Sequence, residues 1–177
     1  MSDAASENPG VGMSADTAAT SRRVTGGSTV PGDKSNPVIR KILPSDAASA
    51  ARLSGELGYP ATPEVMQQRI IQLANCPNRE VYVACAGPAV VGWIDVGVTH
   101  HLQSEPYVEI GGLVVAEGAR SKGIGALLLS FAEDWAREHG VRRMVVRSRI
   151  SRERAHAFYE RTGYTRSKTS AVFEKSL

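Results

Sequence analysis

Apolar residues fall into a sustained pattern only after about residue 36. Residues 38–43 read as a strand, stopped by Pro44. Ser45 or Asp46 can cap a helix running to Leu57, whose apolar positions Ala50, Leu53 and Leu57 recur at helical spacing before Gly58-Tyr59-Pro60 breaks it. Thr62-Pro63-Glu64 then supplies a cap, a proline at the first helical position and an early carboxylate. Met66, Ile70, Leu73 and Ala74 give that second helix one apolar face, and its end is expected near Asn75. Residues 81–85 and 89–98 read as a β-hairpin around Ala86-Gly87-Pro88. Residues 107–115 form another strand, and Gly111-Gly112 inside it points to a bulge or to close backbone approach. The clearest helix spans 123–139, because Ile124, Leu127, Leu128, Phe131 and Trp135 share one face before Gly140 closes it. A strand over 142–149, a short helix over 152–161 ended by Gly163, and a last strand at Ala171-Val172-Phe173 complete the pattern.

This order is mixed α/β. Residues 1–36, rich in Ala, Ser, Thr, Gly and Asp, bury too little apolar surface to offset chain entropy and are expected to be a disordered tail, with Met13 an alternative start. Residues 37–177 are of a size for one core. No apolar run approaches the roughly 18 residues of a membrane span, and the N-terminus lacks the features of a secretory signal. Cys76 and Cys85 have no C-x-x-C pairing and are read as reduced, structurally packed thiols of a cytoplasmic protein. Trp93 and Trp135 sit in apolar patterns and are expected in the core.

Charge sharpens the picture. The formal net charge is only +3, yet residues 137–177 hold 11 basic and 4 acidic residues, and the first 136 hold 10 basic and 14 acidic. The arginines between 142 and 154 lack the interleaved aromatics of a stacking platform, which argues against nucleic acid as a partner. Strand alternation puts Arg143, Val145 and Arg147 on one face, with Arg142, Met144 and Val146 on the other. His100, His101, His139 and His156 have no metal-ligand spacing, so no metal is expected.

The stretch Arg120-Ser121-Lys122-Gly123-Ile124-Gly125-Ala126 lies between a strand and the clearest helix. A helix start offers unpaired N–H groups at the positive end of its dipole, which suits phosphate. Gly123 and Gly125 remove side chains that would block an anion, and Arg120 and Lys122 add charge. The motif is neither a Rossmann G-x-G-x-x-G, since Leu128 takes the third glycine position, nor a P-loop.

With Arg120, Gly123 and Gly125 matching R/Q-x-x-G-x-G/A, and residues 155–164 (Ala-His-Ala-Phe-Tyr-Glu-Arg-Thr-Gly-Tyr) matching A-x-x-F/L-Y-E-x-x-G-F/Y, the chain resembles the GNAT family of acetyl-CoA-dependent N-acetyltransferases. The order of elements agrees over about 140 residues. The resemblance implies a mixed sheet of about six to seven strands flanked by about four helices, splayed to form an acetyl-CoA slot. It implies that Leu113, Val114 and Val115 meet the pantetheine arm, that Arg120, Ser121, Lys122, Gly123, Ile124, Gly125 and Ala126 hold the pyrophosphate, and that the Leu113 N–H stabilises the oxyanion. Tyr159 matches the family tyrosine that protonates the departing thiolate. Where many relatives carry Asn before the last helix this chain has Arg152, which is expected to reach a cofactor phosphate instead. Many relatives are dimers, so the resemblance also implies a homodimer.

Acetyl transfer needs a base for the amine, a donor for the oxyanion and an acid for the thiolate. Glu109 is the leading base, because it lies four residues before Leu113 and at period two shares its face; Glu105, in the preceding loop, is the alternative. The acidic balance before residue 137 favours a small cationic amine as acceptor, and Glu105-Pro106-Tyr107 also resembles acetyltransferases of the aminoglycoside type. A protein lysine or N-terminal acetyltransferase, and a module that binds acetyl-CoA without turnover, are the competing readings.

Overall fold

A computed structural model describes residues 36–177; the expected tail and Met13 lie, apart from residue 36, outside the described residues. β1 covers Val38–Lys41 and stops short of Leu43, because Pro44 opens a 3-10 turn. Asp46 ends that turn, and its carboxylate turns back to accept from Arg40 Nη1 and Nη2 (2.6 and 2.8 Å) and from the Leu43 N–H (2.8 Å). α1 (Ala47–Glu56) follows, then α2 (Pro63–Ala74), whose start is fixed as expected by Thr62 Oγ1 accepting from the Val65 N–H and by Pro63 in the first turn. β2 (Arg79–Ala86), β3 (Ala89–His101) and β4 (Ser104–Val115) form an antiparallel meander that runs further than the sequence pattern suggests. α3 (Ile124–Glu138), β5 (Met144–Val146) and α4 (Glu153–Arg161) close the series.

The described strands make one sheet in the order β1-β2-β3-β4-β5, antiparallel throughout except for the parallel pair β4–β5. One face buries Ile94, Val96, Val108 and Ile110 against Leu128, Leu129, Ala132 and Trp135 of α3. The other buries Val83, Val90 and Val114 against Leu53 of α1, while Ala50 and Ile70 join α1 to α2. Each fully buried Leu, Ile or Val here contributes about 1.5–3 kcal/mol relative to exposure. α4 packs on the α3 side, where Phe158, Tyr159 and Tyr164 meet that first cluster.

Three expectations are corrected. The described strands number five, because Ala171-Val172-Phe173 forms no strand: Val172 and Phe173 are largely exposed, gain no burial against the sheet and pair with no described strand. The strand expected over 142–149 is also cut to three residues, since only Val108, Glu109 and Ile110 offer it partners. Cys85 packs beside the α1 cluster, but Cys76 is exposed and does not act as a core residue. Trp135 is buried, and Trp93 lies between the two clusters of the α1 and α2 face.

Candidate active site

The site begins with one extra residue. Asp95 pairs with Gly112 and Val96 with Ile110, so Gly111 is a bulge in β4. Both glycines are also closely approached: a Cβ at Gly111 would lie 2.6 Å from Arg79 Nη2 and Asp95 Oδ2, and one at Gly112 would lie 2.7 Å from the Trp93 ring. The bulge and the close approach expected as alternatives therefore occur together.

The bulge sets where β5 leaves the sheet. β5 pairs with β4 at residues 108–110, and no described strand pairs with the outer edge from Gly111 onward. The Ala116 N–H donates to the Val91 carbonyl at 2.8 Å, so Ala116 faces β3. Alternation along an antiparallel strand then turns the backbone groups of Val115 and Leu113 to the open edge, and those of Val114 back toward β3. Consistent with this, the Val115 carbonyl accepts from Arg120 Nε at 3.1 Å.

A cavity of about 100 Å³ lies at this splay. Ile110, Gly111, Gly112 and Leu113 meet there with Val146, Arg147, Ser148 and Arg149 after β5, Arg152, Ala155 and Tyr159 at α4, and Leu57 and Tyr59 after α1. Burial pushes the Tyr159 phenol up to about 12, with Arg152 pulling weakly the other way. The phenol is therefore a proton donor, not an anion, at neutral pH. Ser148 Oγ is fully buried beside the cavity without a hydrogen-bond partner, an unused donor and acceptor in the slot wall.

At the start of α3, Gly123 adopts a left-handed conformation (φ 79°) and no side chain caps the helix, so its first N–H groups remain available to an anion. Ser121 also has positive φ (64°), strain that a non-glycine residue carries only where surrounding structure holds it. Arg120 and Lys122 fold back on the loop: Arg120 Nη2 lies 3.5 Å from Glu56 Oε2, and Lys122 Nζ donates to the Gly118 carbonyl at 3.0 Å. Glu56 Oε2 also accepts from the Glu117 N–H at 2.9 Å, so α1 anchors this loop. The uncapped helix start, the outward edge at Leu113 and Val115 and the unpartnered Ser148 hydroxyl together fit a thioester carried on a phosphorylated pantetheine arm.

Three sequence assignments change place. The bulge breaks the period-two match between Glu109 and Leu113: Leu113 packs on the α3 side with Ile110, while Glu109 bonds Arg147 on the other. Glu105 is not in the slot. It lines a separate groove of about 650 Å³ with His100, His139 and Arg142, six residues and roughly 20 Å of strand before Gly111. Arg152, expected at a phosphate, donates across the slot to the Leu57 carbonyl, because the bend ahead of α4 aims it at the end of α1. Sequence reasoning passed over Glu56, Tyr59 and Arg149, whose partners are distant in the chain, and Ser148, whose hydroxyl is buried only by the fold; no local signal marked them.

A family model described as the acetyltransferase (GNAT) family matches residues 50–164, which hold the bulge, the α3 start and Tyr159. The chain belongs to the GNAT family. It is thus an N-acetyltransferase acting on amines. An aminoglycoside N(6')-acetyltransferase type 1 of Stenotrophomonas maltophilia is 28% identical over 148 residues, covering 81% of this chain and 95% of that protein. An aminoalkylphosphonate N-acetyltransferase of Salmonella typhimurium is 34% identical over 116 residues, covering 65% and 73%. The structure of the aminoglycoside N-acetyltransferase AAC(6')-Iy in complex with CoA superposes with TM-score 0.75 at 16% identity, over 84% of this chain and all of that one. This GNAT chain has the α/β fold of its relatives. Among the described residues no cluster of His, Cys, Asp and Glu could hold a metal, and no helix is long and apolar enough to cross a membrane.

Proposed function

We propose that this chain transfers the acetyl group of acetyl-CoA to the primary amine of a small molecule by direct attack on the thioester. The observation that supports the reading is that Leu113 and the partly buried Tyr159 line one cavity, while the uncapped start of α3 lies beside it, with Gly125 against the side chains of Val115 and Phe158. Residues 123–126 offer backbone donors to the pyrophosphate, while Arg120 and Lys122 hold the loop and supply charge beside it. The backbone of Val115 and Leu113 orders the pantetheine arm, with Val114 packing behind it.

The amine loses its proton before attack. We assign that proton to Glu109, directly or through one water, since Glu109 lies on the face opposite α3 and is bonded to Arg147 of the slot wall. The amine nitrogen bonds to the thioester carbonyl carbon, the developing oxyanion accepts from the Leu113 N–H, and the C–S bond breaks as Tyr159 protonates the sulfur. Two acceptor classes have support. The name of the Stenotrophomonas relative and the acidic balance of the first 136 residues favour an aminoglycoside-like cation, whereas the name of the Salmonella relative favours an aminoalkylphosphonate.

Calorimetry with acetyl-CoA, followed by CoA thiol release across aminoglycosides, polyamines, aminoalkylphosphonates, amino acids and a lysine peptide, tests the assignment. Saturable binding and release with at least one small amine are expected. Absence of acetyl-CoA binding refutes it, and binding without release with any amine leaves a ligand-binding module instead. Arg120→Ala is expected to weaken acetyl-CoA binding, and Glu109→Gln to lower turnover with binding retained.

A further inference from the structure

The slot wall is unbalanced in charge. Arg147, Arg149 and Arg152 all line it, and no lining residue carries a carboxylate. Glu109 pairs with Arg147 and neutralises it. Arg149 and Arg152 are different: among the described residues neither lies within ion-pair distance of a carboxylate. The Arg149 guanidinium sits over the Tyr59 ring, 5.5 Å from its centroid, with Nη2 3.5 Å from the Tyr59 hydroxyl. Arg152 Nη2 donates to the Leu57 carbonyl, beside Gly58. Both side chains thus reach from the β5 and α4 side to the segment that follows α1, on the face of the sheet away from α3.

That placement separates them from the pyrophosphate donors, which lie at the start of α3 on the opposite face. A planar guanidinium offers five N–H donors in a fixed fork, and each neutral partner here takes one of them. Both residues line the cavity, and their remaining donors match the oxygens of a carboxylate or phosphonate, which can accept from a guanidinium in pairs. A polycationic acceptor in the same space meets two unneutralised positive groups at close range.

We propose that the acceptor is a short primary amine that also carries an anionic group, a phosphonate or a carboxylate, and that Arg149 and Arg152 bind this group and determine specificity. The proposal rests on the acetyltransferase reading of the same slot. Its net effect is to hold the substrate by its negative end, so that its amine faces the thioester and Glu109.

The test uses the full chain with saturating acetyl-CoA and a matched series: 2-aminoethylphosphonate, β-alanine, n-propylamine, 1,2-diaminoethane and kanamycin. The better of the two anionic amines is expected to exceed propylamine and diaminoethane at least tenfold in kcat/KM, and the phosphonate and carboxylate arms identify which anion is preferred. Arg149→Met is expected to cut that anionic-to-neutral ratio about tenfold, chiefly through the acceptor KM. Arg152→Met is expected to act in the same direction. Preference for diaminoethane or kanamycin, or an equal loss for every amine with a raised KM for acetyl-CoA, overturns the proposal. A second measurement is independent of turnover: calorimetry of ethylphosphonate and propionate, which cannot be acetylated, against the CoA-bound wild type and Arg149→Met. Saturable binding that the variant loses supports the anion site, and no binding of either overturns it. Binding of these anions with no CoA release from any amine refutes the transferase reading alone.

Discussion

Gly112→Ala probes the ground on which the slot is built. The new methyl would stand 2.7 and 2.8 Å from Cζ3 and Cη2 of Trp93, where ordinary contact begins at 3.4 Å, an overlap of at least about 0.6 Å. The indole has little room to retreat, because it is packed against both apolar clusters of the α1 and α2 face. Overpacking of this kind costs about 1–3 kcal/mol. For a domain of this size each kcal/mol moves Tm by about 2–4 °C, so a fall of about 2–12 °C is expected in thermal unfolding followed by circular dichroism. Gly55→Ala is the control of opposite sign: nothing lies within 4 Å of its added methyl, and it occupies a helix, so a gain of about 0.5–1 kcal/mol is expected. In a W93L background the cost of Gly112→Ala should drop below about 0.5 kcal/mol. A Gly112→Ala protein melting within about 1 °C of wild type, or a cost that persists in the W93L background, would refute the argument that Trp93 dictates glycine at this position.

Two further outcomes follow from the titrating groups. Tyr159→Phe should lower kcat by about 10²-fold or more while acetyl-CoA affinity is retained; because burial holds the wild-type phenol protonated up to about 12, wild-type kcat should show no loss of this acid as pH rises to about 10, and a steep fall below that pH would contradict its role. Asp46 is held below the ordinary carboxylate range chiefly by its hydrogen bonds from Arg40, so it stabilises the fold fully above about pH 4 and ceases to as pH falls through its lowered value. Asp46→Asn should therefore cost about 2–3 kcal/mol at pH 7 and progressively less as pH falls through the lowered value; chemical denaturation followed down the acid range checks this, and a difference unchanged with pH would exclude the ionic origin.

Much of the architecture was written in local signals. Thr62-Pro63 starts α2, the Ile124-to-Trp135 stripe is the buried side of α3, and adjacent glycines mark the bulge. The failures share a cause, which is that they depend on partners distant in sequence. Val172 and Phe173 have strand-like composition but pair with no described strand, and β5 is only as long as the stretch of β4 that accepts it. Glu109 was placed on the face of Leu113 by a period of two that one inserted residue cancels. Glu105 looked close to the chemistry because β4 was read as starting later than it does. Arg149 meets Tyr59 across 90 residues and Arg152 meets Leu57 across 95, so no window of sequence could have joined them. The charged residues of the slot wall, Arg147, Arg149 and Arg152, all come from the basic end of the chain, which a charge balance taken over the first 136 residues does not include.

The residue inserted at Gly111 makes β4 two half-strands with independent registers. The half after it turns the backbone of Leu113 and Val115 to the open edge, and the half before it presents Glu109 to the face away from α3. Loss of that single codon would force one half to exchange its inner and outer side chains, so the length of β4 is constrained more tightly than its composition. Side chains of β4 before Gly111 can therefore change without moving the register of the open edge after it, which uncouples the two halves of the strand.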